Sequence, residues 1–245
     1  MTPRIYSAAP LASGETIVLD AIAARHLREA LRLSRGDAVV LFDGRGGEYA
    51  ASVVTVSRER VEAQVGAHLA VDRESPLAIT LAQGISRGER MDYTLQKAVE
   101  LGVRRIVPLA TERSTVRLDD ERARKRLEHW QGIARHACEQ SGRTALPALE
   151  GITTVPALAA AERGPLRLML DPSAAAPLSE LARPAAAAAE VCLAIGPEGG
   201  FSPAERAVLE GAGFVGARLG PRVLRTETAA LVALSVLQSR LGDLG

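Results

Sequence analysis

Two stretches rich in glycine and proline constrain the fold of this chain most, because each directly follows a short apolar segment. The first, IGPEGGFSPAE (residues 195–205), starts at the last residue of the apolar VCLAI. The second, LGPRVLRTETAAL (residues 219–231), starts at the last residue of FVGARL and opens a long amphipathic run. Short apolar runs that end at glycine are typical of buried parallel strands, and α/β proteins bind ligands beyond the carboxyl ends of such strands. The two stretches therefore predict one ligand site at one edge of a sheet.

The residue types in these stretches indicate how each loop is built. The glycines of the first leave the backbone open to a ligand, although a tight turn that binds nothing would use the same residues. Ser202 with Glu205 predicts a capping box, and Pro203 suits the first helical position. After the second loop, Thr226 or Thr228 is predicted to cap the terminal helix. The apolar residues of that helix expected to face a core or a partner are Leu231, Leu234, Val236 and Leu237.

The pattern of predicted strands and helices changes near Pro76, and we place a domain boundary there. Before it, short strands broken by turns predict a small β barrel or sheet, with one helix over AIAARHLREALRLSRGD that ends at Gly36. Beyond it strands and helices alternate, which predicts a parallel sheet covered on both faces. The chain is therefore expected to be an α/β protein with domains at 1–72 and 76–245. The residues expected on the buried face of the early helix are Ile22, His26, Leu27, Ala30 and Leu31.

Composition narrows the class of protein. The 245 residues are 47% hydrophobic, enough to bury a core, but no apolar stretch approaches the roughly 20 residues of a membrane span. The start lacks the pattern of a secretory signal, so we expect a cytoplasmic protein with no membrane contact. Cys138 and Cys192 fall in a predicted helix and strand, where reduced core thiols are expected and a metal site is not. Neither a Rossmann fingerprint nor a P-loop is present.

The two loops, taken together, resemble the signature of the RsmE family of SPOUT methyltransferases. Further stretches occur in the order typical of that family: PRIY, HLREALRLSRGDAVVLFDG, SRGERMDYTLQKAVELGV, PLATERS, HACEQSGR and GDLG. The resemblance implies an N-terminal PUA-like RNA-binding β barrel and a C-terminal SPOUT α/β domain with a parallel sheet and a deep trefoil knot. It also implies S-adenosylmethionine as cofactor, methyl transfer to N3 of a uridine in 16S rRNA, and a homodimer that acts on the assembled small ribosomal subunit.

The resemblance further implies that both loops and the LMLDP segment surround the cofactor through main-chain hydrogen bonds and apolar contacts. The residues expected to bind S-adenosylmethionine are Leu170, Ile195, Gly196, Pro197, Glu198, Gly199, Gly200, Leu219, Gly220, Leu224, Thr226, Thr228 and Ala229.

Methylation at N3 of uracil requires loss of a proton and stabilisation of the resulting anion. A two-pronged arginine suits the second task. Arg225 in the second loop is our first choice for it, and the alternatives are Arg222, Arg87 and Arg113. Glu198 or Glu227 could accept the proton, although an ordinary carboxylate is a weak base and either could serve only local structure. We take Arg225 and Glu198 as the catalytic residues. The arginines expected to bind RNA are Arg4, Arg28, Arg32, Arg87, Arg113, Arg143 and Arg222.

Two other function classes remain open from the sequence. A non-catalytic RNA-binding protein would keep the barrel and the arginines but bind no cofactor. A phosphate-binding metabolic enzyme could use the same glycine-rich loop at the start of a helix.

Overall fold

The computed structural model describes residues 2–114, 120–183 and 190–245. Its contacts divide the chain into two units. The first consists of Met1–Glu74 with Arg135–Leu146, and the second of Ser75–Ala134 with Pro147–Gly245. Each unit has its own sheet, and each is described separately below.

The first unit is built on a five-stranded sheet. Its strands are β1 (Arg4–Tyr6), β2 (Thr16–Val18), β3 (Ala38–Phe42), β4 (Glu48–Val56) and β5 (Val61–Leu69). Their order is β1-β3-β4-β5-β2, in which β1 runs parallel to β3 and the other pairs are antiparallel. Every second residue of β5 from Val61 to Val65 is buried, as the period of a strand with one face on a core requires.

The helix of the first unit is shorter than the sequence predicts. Helix α1 covers Ala21–Arg25, and a π-helical turn continues it over His26–Ala30. The predicted end at Gly36 is therefore wrong. A π turn holds one more residue than an α turn, so it rotates the following side chains away from the expected face, and Arg32 already has a left-handed φ of 53°. Ala30, predicted to be buried, is accordingly exposed. Ile22, also predicted to be buried, lies before the π turn and is 45% exposed, because Ala23 and Ala24 are the residues of α1 that face the core.

The second unit is built on a seven-stranded sheet in which every pair is parallel. This confirms the parallel sheet predicted from alternating strands and helices. Its strands are β6 (Ala78–Gly84), β7 (Arg105–Ala110), β8 (Ala148–Leu149), β9 (Thr153–Thr154), β10 (Leu166–Leu170), β11 (Glu190–Ile195) and β12 (Val215–Ala217). The order is β12-β10-β11-β6-β7-β8, and β9 also pairs with β7.

Among the described residues, six further helices accompany these strands. They are α2 (Glu89–Glu100), α3 (Asp120–Ser141), α4 (Val155–Ala161), α5 (Leu178–Leu181), α6 (Pro203–Gly211) and α7 (Thr226–Leu241). The last residues of α3, from Arg135, belong to the first unit. Among the described residues, no helix is both long and apolar enough to span a membrane.

The carboxyl ends of four strands meet at one edge of the second sheet. Ile195 at the end of β11 is in register with Gln83 near the end of β6, and Leu170 at the end of β10 is in register with Ala217 at the end of β12. Strand β11 is buried from its second residue onward, as expected for a central parallel strand. Both glycine-rich loops therefore begin at the same edge.

Both cysteines are free and buried, as predicted. Burial raises the pKa of the Cys138 and Cys192 thiols to about 12 in each case, so neither is a thiolate at neutral pH. No cluster of three or more potential metal ligands occurs in the described ranges.

Candidate active site

A cleft of about 650 Å³ opens at the edge of the second sheet where β10, β11 and β12 end. Both glycine-rich loops contribute to its wall. Among the residues expected to bind the cofactor, only Thr228 does not line it. Those that do are Leu170, Ile195, Gly196, Pro197, Glu198, Gly199, Gly200, Leu219, Gly220, Leu224, Thr226 and Ala229.

The glycines of the first loop are required for different reasons. A Cβ added at Gly196 would lie 2.8 Å from the carbonyl carbon of Gly200 and 2.9 Å from the nitrogen of Phe201, so the loop folds back on itself only without a side chain. Gly200 has a φ of 66°, and a Cβ there would meet nothing within 4 Å. Gly199 instead packs against Arg113, whose Cβ would lie 3.1 Å from an added Cβ. Only at Gly200 does the missing side chain leave open space.

The end of the first loop is fixed by the predicted capping box. The Ser202 hydroxyl accepts a hydrogen bond from the Glu205 N–H at 3.1 Å, and the Glu205 carboxylate accepts one from the Ser202 N–H at 2.8 Å. The second oxygen of Glu205 accepts from the Glu112 N–H at 2.8 Å. The buried Glu205 side chain thus joins the start of α6 to the segment after β7.

The start of α7 differs from the prediction. Its N-cap residue is Arg225, with no side-chain capping bond, so the predicted cap at Thr226 or Thr228 is wrong. Thr226 is already helical, which places its hydroxyl one residue beyond the capping position. That hydroxyl instead accepts from Gln83 Nε2 at 2.9 Å and donates to the Gly196 carbonyl at 2.8 Å. Thr228 is exposed.

Glu198 is held by donors from α2 and its preceding turn. Its Oε1 accepts from the Arg87 N–H at 3.2 Å and from Arg90 Nη1 at 2.8 Å. Burial opposes ionisation of Glu198, but hydrogen bonds from its own backbone and from Arg87 and Arg90 outweigh that effect and lower its pKa. The structure therefore makes Glu198 a weaker base than an ordinary glutamate.

Arginines surround the cleft in two different states. Arg222 and Arg225 line it from the second loop, and their side chains make no hydrogen bond or ion pair within the described part of the chain. Arg113 also lines it and donates to the Gly199 carbonyl at 3.0 Å. Arg90 pairs with Glu198 and lies 3.9 Å from Glu227.

Sequence reasoning missed Arg90 and the ion pair of Asp171 with Arg206, all of which line the cleft. Arg206 Nη1 lies 2.8 Å from Asp171 Oδ2, which joins the segment after β10 to α6. Burial of Asp171 raises its pKa, but bonds from Ser173 and Arg206 outweigh this and lower it. Arg90 lies within the quoted SRGERMDY stretch, so its position was visible, whereas the pairing of residues 171 and 206 is not local in sequence.

Comparison with known proteins identifies the family. Residues 73–238 match the family model of an RNA methyltransferase domain, and residues 19–66 match that of an RNA methyltransferase PUA domain. The chain is 32% identical to ribosomal RNA small subunit methyltransferase E from Buchnera aphidicola, over 99% of this chain and 98% of that protein. The chain belongs to the ribosomal RNA small subunit methyltransferase E family. The resemblance noted in the sequence is thereby confirmed.

Two solved structures resemble this member of the family over their full length. A methyltransferase from Legionella pneumophila, solved with bound SAM, is 42% identical, with a TM-score of 0.94 and full coverage of both chains. A ribosomal RNA small subunit methyltransferase E from Neisseria gonorrhoeae, bound to S-adenosyl methionine, is 38% identical, with a TM-score of 0.91 and the same coverage.

Two of the arginines expected to bind RNA in this family member serve internal contacts instead. The Arg4 side chain is 10% exposed, pairs with Glu48 at 3.1 Å and donates to the Cys138 carbonyl at 2.8 Å. The Arg143 side chain is 6% exposed and lies 2.5 Å from Glu74. Because both guanidinium groups are buried among partners within the first unit, the structure argues against the RNA contacts predicted for them.

The remaining arginines of that prediction are more accessible. Arg28 donates to the carbonyls of Ser57 and Arg58, both at 3.0 Å, and its side chain is 29% exposed. Arg32 and Arg87 are exposed on the first and second unit, respectively.

Proposed function

We propose that the cleft binds S-adenosylmethionine and that the protein methylates N3 of a uridine in 16S rRNA within the assembled small ribosomal subunit. The observation that carries this proposal is the convergence of both glycine-rich loops on one cleft, in a chain that belongs to the methyltransferase E family. We further propose that the reaction takes place in the cytoplasm.

The cleft suits the chemistry of this cofactor. Its volume of about 650 Å³ lies within the range of roughly 300–1,000 Å³ that is usual for small-molecule sites. Its wall combines exposed backbone at Gly200 and Gly220, where added Cβ atoms would meet nothing within 4 Å, with the apolar side chains of Leu170, Leu219 and Leu224. Main-chain groups can then hydrogen-bond an adenosine while apolar contacts cover its faces. All the residues proposed to bind it from the sequence stay in this proposal except Thr228, which is exposed.

Bound S-adenosylmethionine would supply an electrophilic methyl group, and the protein must provide for the nucleophile. We propose that Arg225 stabilises the negative charge that develops on the uracil carbonyl oxygens as N3 loses its proton, because it lines the cleft with its guanidinium uncommitted among the described residues. Glu198 is proposed to position the first loop through Arg90 rather than to accept the proton, since its pKa is lowered. Glu227, the alternative acceptor, does not itself line the cleft.

The finer fold of the family also belongs to the proposal. In the first unit we propose a closed PUA-like barrel that binds RNA, using Arg28 and Arg32, and we assign it to residues 1–72. In the second unit, residues 76–245, we propose a deep trefoil knot. It is supported by the position of β10 between its successors β11 and β12, and by the bond that brings Thr226 at the start of α7 to the Gly196 carbonyl.

We also propose a homodimer. Helices α2 and α7 pack against each other and leave Tyr93 47% and Val232 37% exposed, so this pair of helices presents apolar surface to a partner. Light scattering at micromolar concentration tests this, and a monomer would contradict it.

Methylation of isolated ribosomal particles tests the reaction itself. Small subunits that lack the modification are incubated with the protein and radiolabelled S-adenosylmethionine, and the labelled nucleoside is identified by chromatography and mass spectrometry. N3-methyluridine is the expected product. Methyl on uracil C5 or on the ribose 2′-oxygen would overturn the proposed position, and labelling of naked 16S rRNA as fast as of subunits would overturn the proposed substrate.

A further inference from the structure

A buried chain of hydrogen bonds, here called the Gln83 relay, joins Gln83, Thr226 and Gly196. Gln83 Nε2 donates to the Thr226 hydroxyl at 2.9 Å, and that hydroxyl donates to the Gly196 carbonyl at 2.8 Å. The Gln83 side chain is fully buried and Thr226 is 7% exposed. At a site buried from water, a donor or acceptor that loses its hydrogen-bond partner costs free energy because no water replaces that partner.

The relay connects three segments that define the cleft. Gln83 stands near the end of β6, in register with Ile195 at the end of β11. Gly196 begins the first loop, and Thr226 follows the second loop at the start of α7. Thr226 and Gly196 both line the cleft. Because the relay holds the end of one loop against the start of the other, it sets the separation of the two walls.

The direction of the relay follows from the amide nitrogen of Gln83, whereas its buried Oε1 has no hydrogen-bond partner among the described residues. Besides the bond to Thr226, Gln83 Nε2 donates to the Gly84 carbonyl at 3.1 Å, so both amide protons are committed. Turning the amide around would place its oxygen against the Gly84 carbonyl, another acceptor. A threonine hydroxyl has one proton, and since Thr226 receives the proton of Gln83 it must donate its own to Gly196.

We propose that Gln83 is a positioning residue for the cofactor: by donating to Thr226 it directs the threonine proton to Gly196 and holds the cleft in the shape that binds S-adenosylmethionine. This inference rests on the proposed function. It requires a hydrogen-bond donor at position 83, and not merely a side chain of the right size.

The Gln83→Glu variant tests that requirement because it changes hydrogen bonding at nearly constant shape. An ionised carboxylate has no proton to give, so Thr226 turns its proton toward position 83 and the Gly196 carbonyl loses its donor. Burial raises the pKa of such a carboxyl group, so mild acid restores a proton that it can donate. At about pH 8 we expect the variant's Kd for S-adenosylmethionine to be at least roughly tenfold higher than that of the wild type. At about pH 5.5 its Kd should approach the wild-type value.

Gln238→Glu is the matched control. Gln238 is also fully buried in the second unit, where its Nε2 donates to the Leu101 carbonyl at 2.8 Å and its Oε1 accepts from the Ser75 hydroxyl at 2.7 Å. It does not line the cleft. This substitution places the same titrating group in the same unit, so the melting temperature is expected to respond to pH while the Kd for S-adenosylmethionine stays within about twofold of wild type.

Two variants of Thr226 test the relay without a titrating group. Thr226→Ser keeps the hydroxyl and is expected to bind S-adenosylmethionine within about threefold of wild type. Thr226→Val keeps the shape but removes the hydroxyl, and we expect it to bind at least roughly tenfold more weakly at every pH. Melting temperatures identify any variant that has lost its fold. If Gln83→Glu is one of them, an unchanged affinity of Thr226→Val overturns the proposal, because the relay would then contribute nothing to the shape of the cleft.

Calorimetric titrations of all five proteins across the pH range separate the outcomes. Recovery of affinity in acid by Gln83→Glu alone supports the proposal. A wild-type protein that binds no S-adenosylmethionine overturns the proposed function and this inference with it. A wild-type protein that binds, together with a Gln83→Glu variant of unchanged affinity, overturns only the inference. Parallel losses of affinity in Gln83→Glu and Gln238→Glu would also overturn it, because they would show a general loss of stability.

Discussion

The two loops of the cleft are built in opposite ways. The first, residues 195–205, is held throughout: the Gly200 N–H bonds the Pro197 carbonyl at 2.8 Å, Glu198 is bound by α2 and its preceding turn, and Ser202 is locked in the capping box. In the second, residues 219–225, Val223 is 82% exposed, and the Arg222 and Arg225 side chains make no hydrogen bond within the described residues.

This difference indicates a division of labour. A loop that is already ordered loses little entropy when it binds, which suits a small cofactor that is contacted mainly by backbone. Uncommitted arginines suit a larger anionic substrate, since they exchange water for phosphate or uracil oxygens without first breaking internal bonds. We therefore expect substitutions in the first loop to act on cofactor affinity and stability, and those of Arg222 and Arg225 in the second to act on RNA and turnover.

The largest effect is expected at Gly196, where the first loop is most crowded. Gly196→Ala would place a Cβ 2.8 Å from backbone atoms that cannot move independently. Overpacking of this kind costs up to about 3 kcal/mol, so affinity for S-adenosylmethionine should fall roughly 100-fold by calorimetry. Gly211→Ala at the end of α6 is the control, because an added Cβ there meets nothing within 4 Å. Equal affinities for the two variants would mean that the first loop adapts and is not prebuilt.

Arg225→Lys tests the second loop. The substitution keeps the positive charge but loses the two-pronged geometry, so single-turnover methylation should slow by roughly 100-fold while binding of cofactor and RNA changes little. A higher pH should partly restore the rate, because hydroxide then assists removal of the N3 proton. Arg222→Lys, in the same loop, is the matched comparison. If Arg225→Lys binds poorly but turns over normally once saturated, Arg225 holds a ligand and does not stabilise the reacting uracil.

The same contrast explains which features could be predicted from sequence. The capping box of Ser202 and the placement of both loops at one sheet edge follow local rules of spacing and strand order, and both are present. The role of Thr226 was missed because its partners, Gln83 and Gly196, are distant in sequence. Arg4 was assigned to RNA for a similar reason: nothing near it in the chain reveals Glu48 or the Cys138 carbonyl.

The predicted extent of helix α1 was wrong for a different reason. Its apolar spacing suits an α-helix to Leu31, but the period assumes α geometry throughout, and the π turn over His26–Ala30 breaks it. Apolar spacing alone does not distinguish a π turn from a continuing α-helix.

Capping provides a smaller test of the two loops. Ser202→Ala removes the hydroxyl that caps α6 and should lower the free energy of unfolding by about 1 kcal/mol. Thr228→Ala, which the sequence suggested as an equivalent cap for α7, should change it by less than about 0.5 kcal/mol because Thr228 is exposed and caps nothing. Denaturant unfolding of both variants measures the difference. Equal losses would restore Thr228 as a capping residue and remove this distinction between the loops.

The smallest effect is expected from Glu198→Gln, and its pH dependence carries the information. Glu198 is one-third exposed, so loss of its charge should cost less than about 1 kcal/mol near neutral pH. Because the folded state lowers the pKa of Glu198, its ionised form stabilises the protein above the ordinary value of 4.5, and this stabilisation is lost as the pH falls through the folded value. Glutamine does not titrate. The wild type should therefore melt at a higher temperature than the variant at neutral pH, and the two should converge in acid.

Glu210→Gln is the control for that measurement, since it removes one negative charge from the exposed surface of α6 without touching the first loop. Its difference from wild type should be smaller at neutral pH than that of Glu198→Gln. A wild type that melts below Glu198→Gln at neutral pH and gains stability relative to it in acid would mean that the fold favours the protonated carboxyl group. Glu198 would then be a proton acceptor of raised pKa, the first loop would hold a reactive group as well as the cofactor, and the division of labour between the loops would fail.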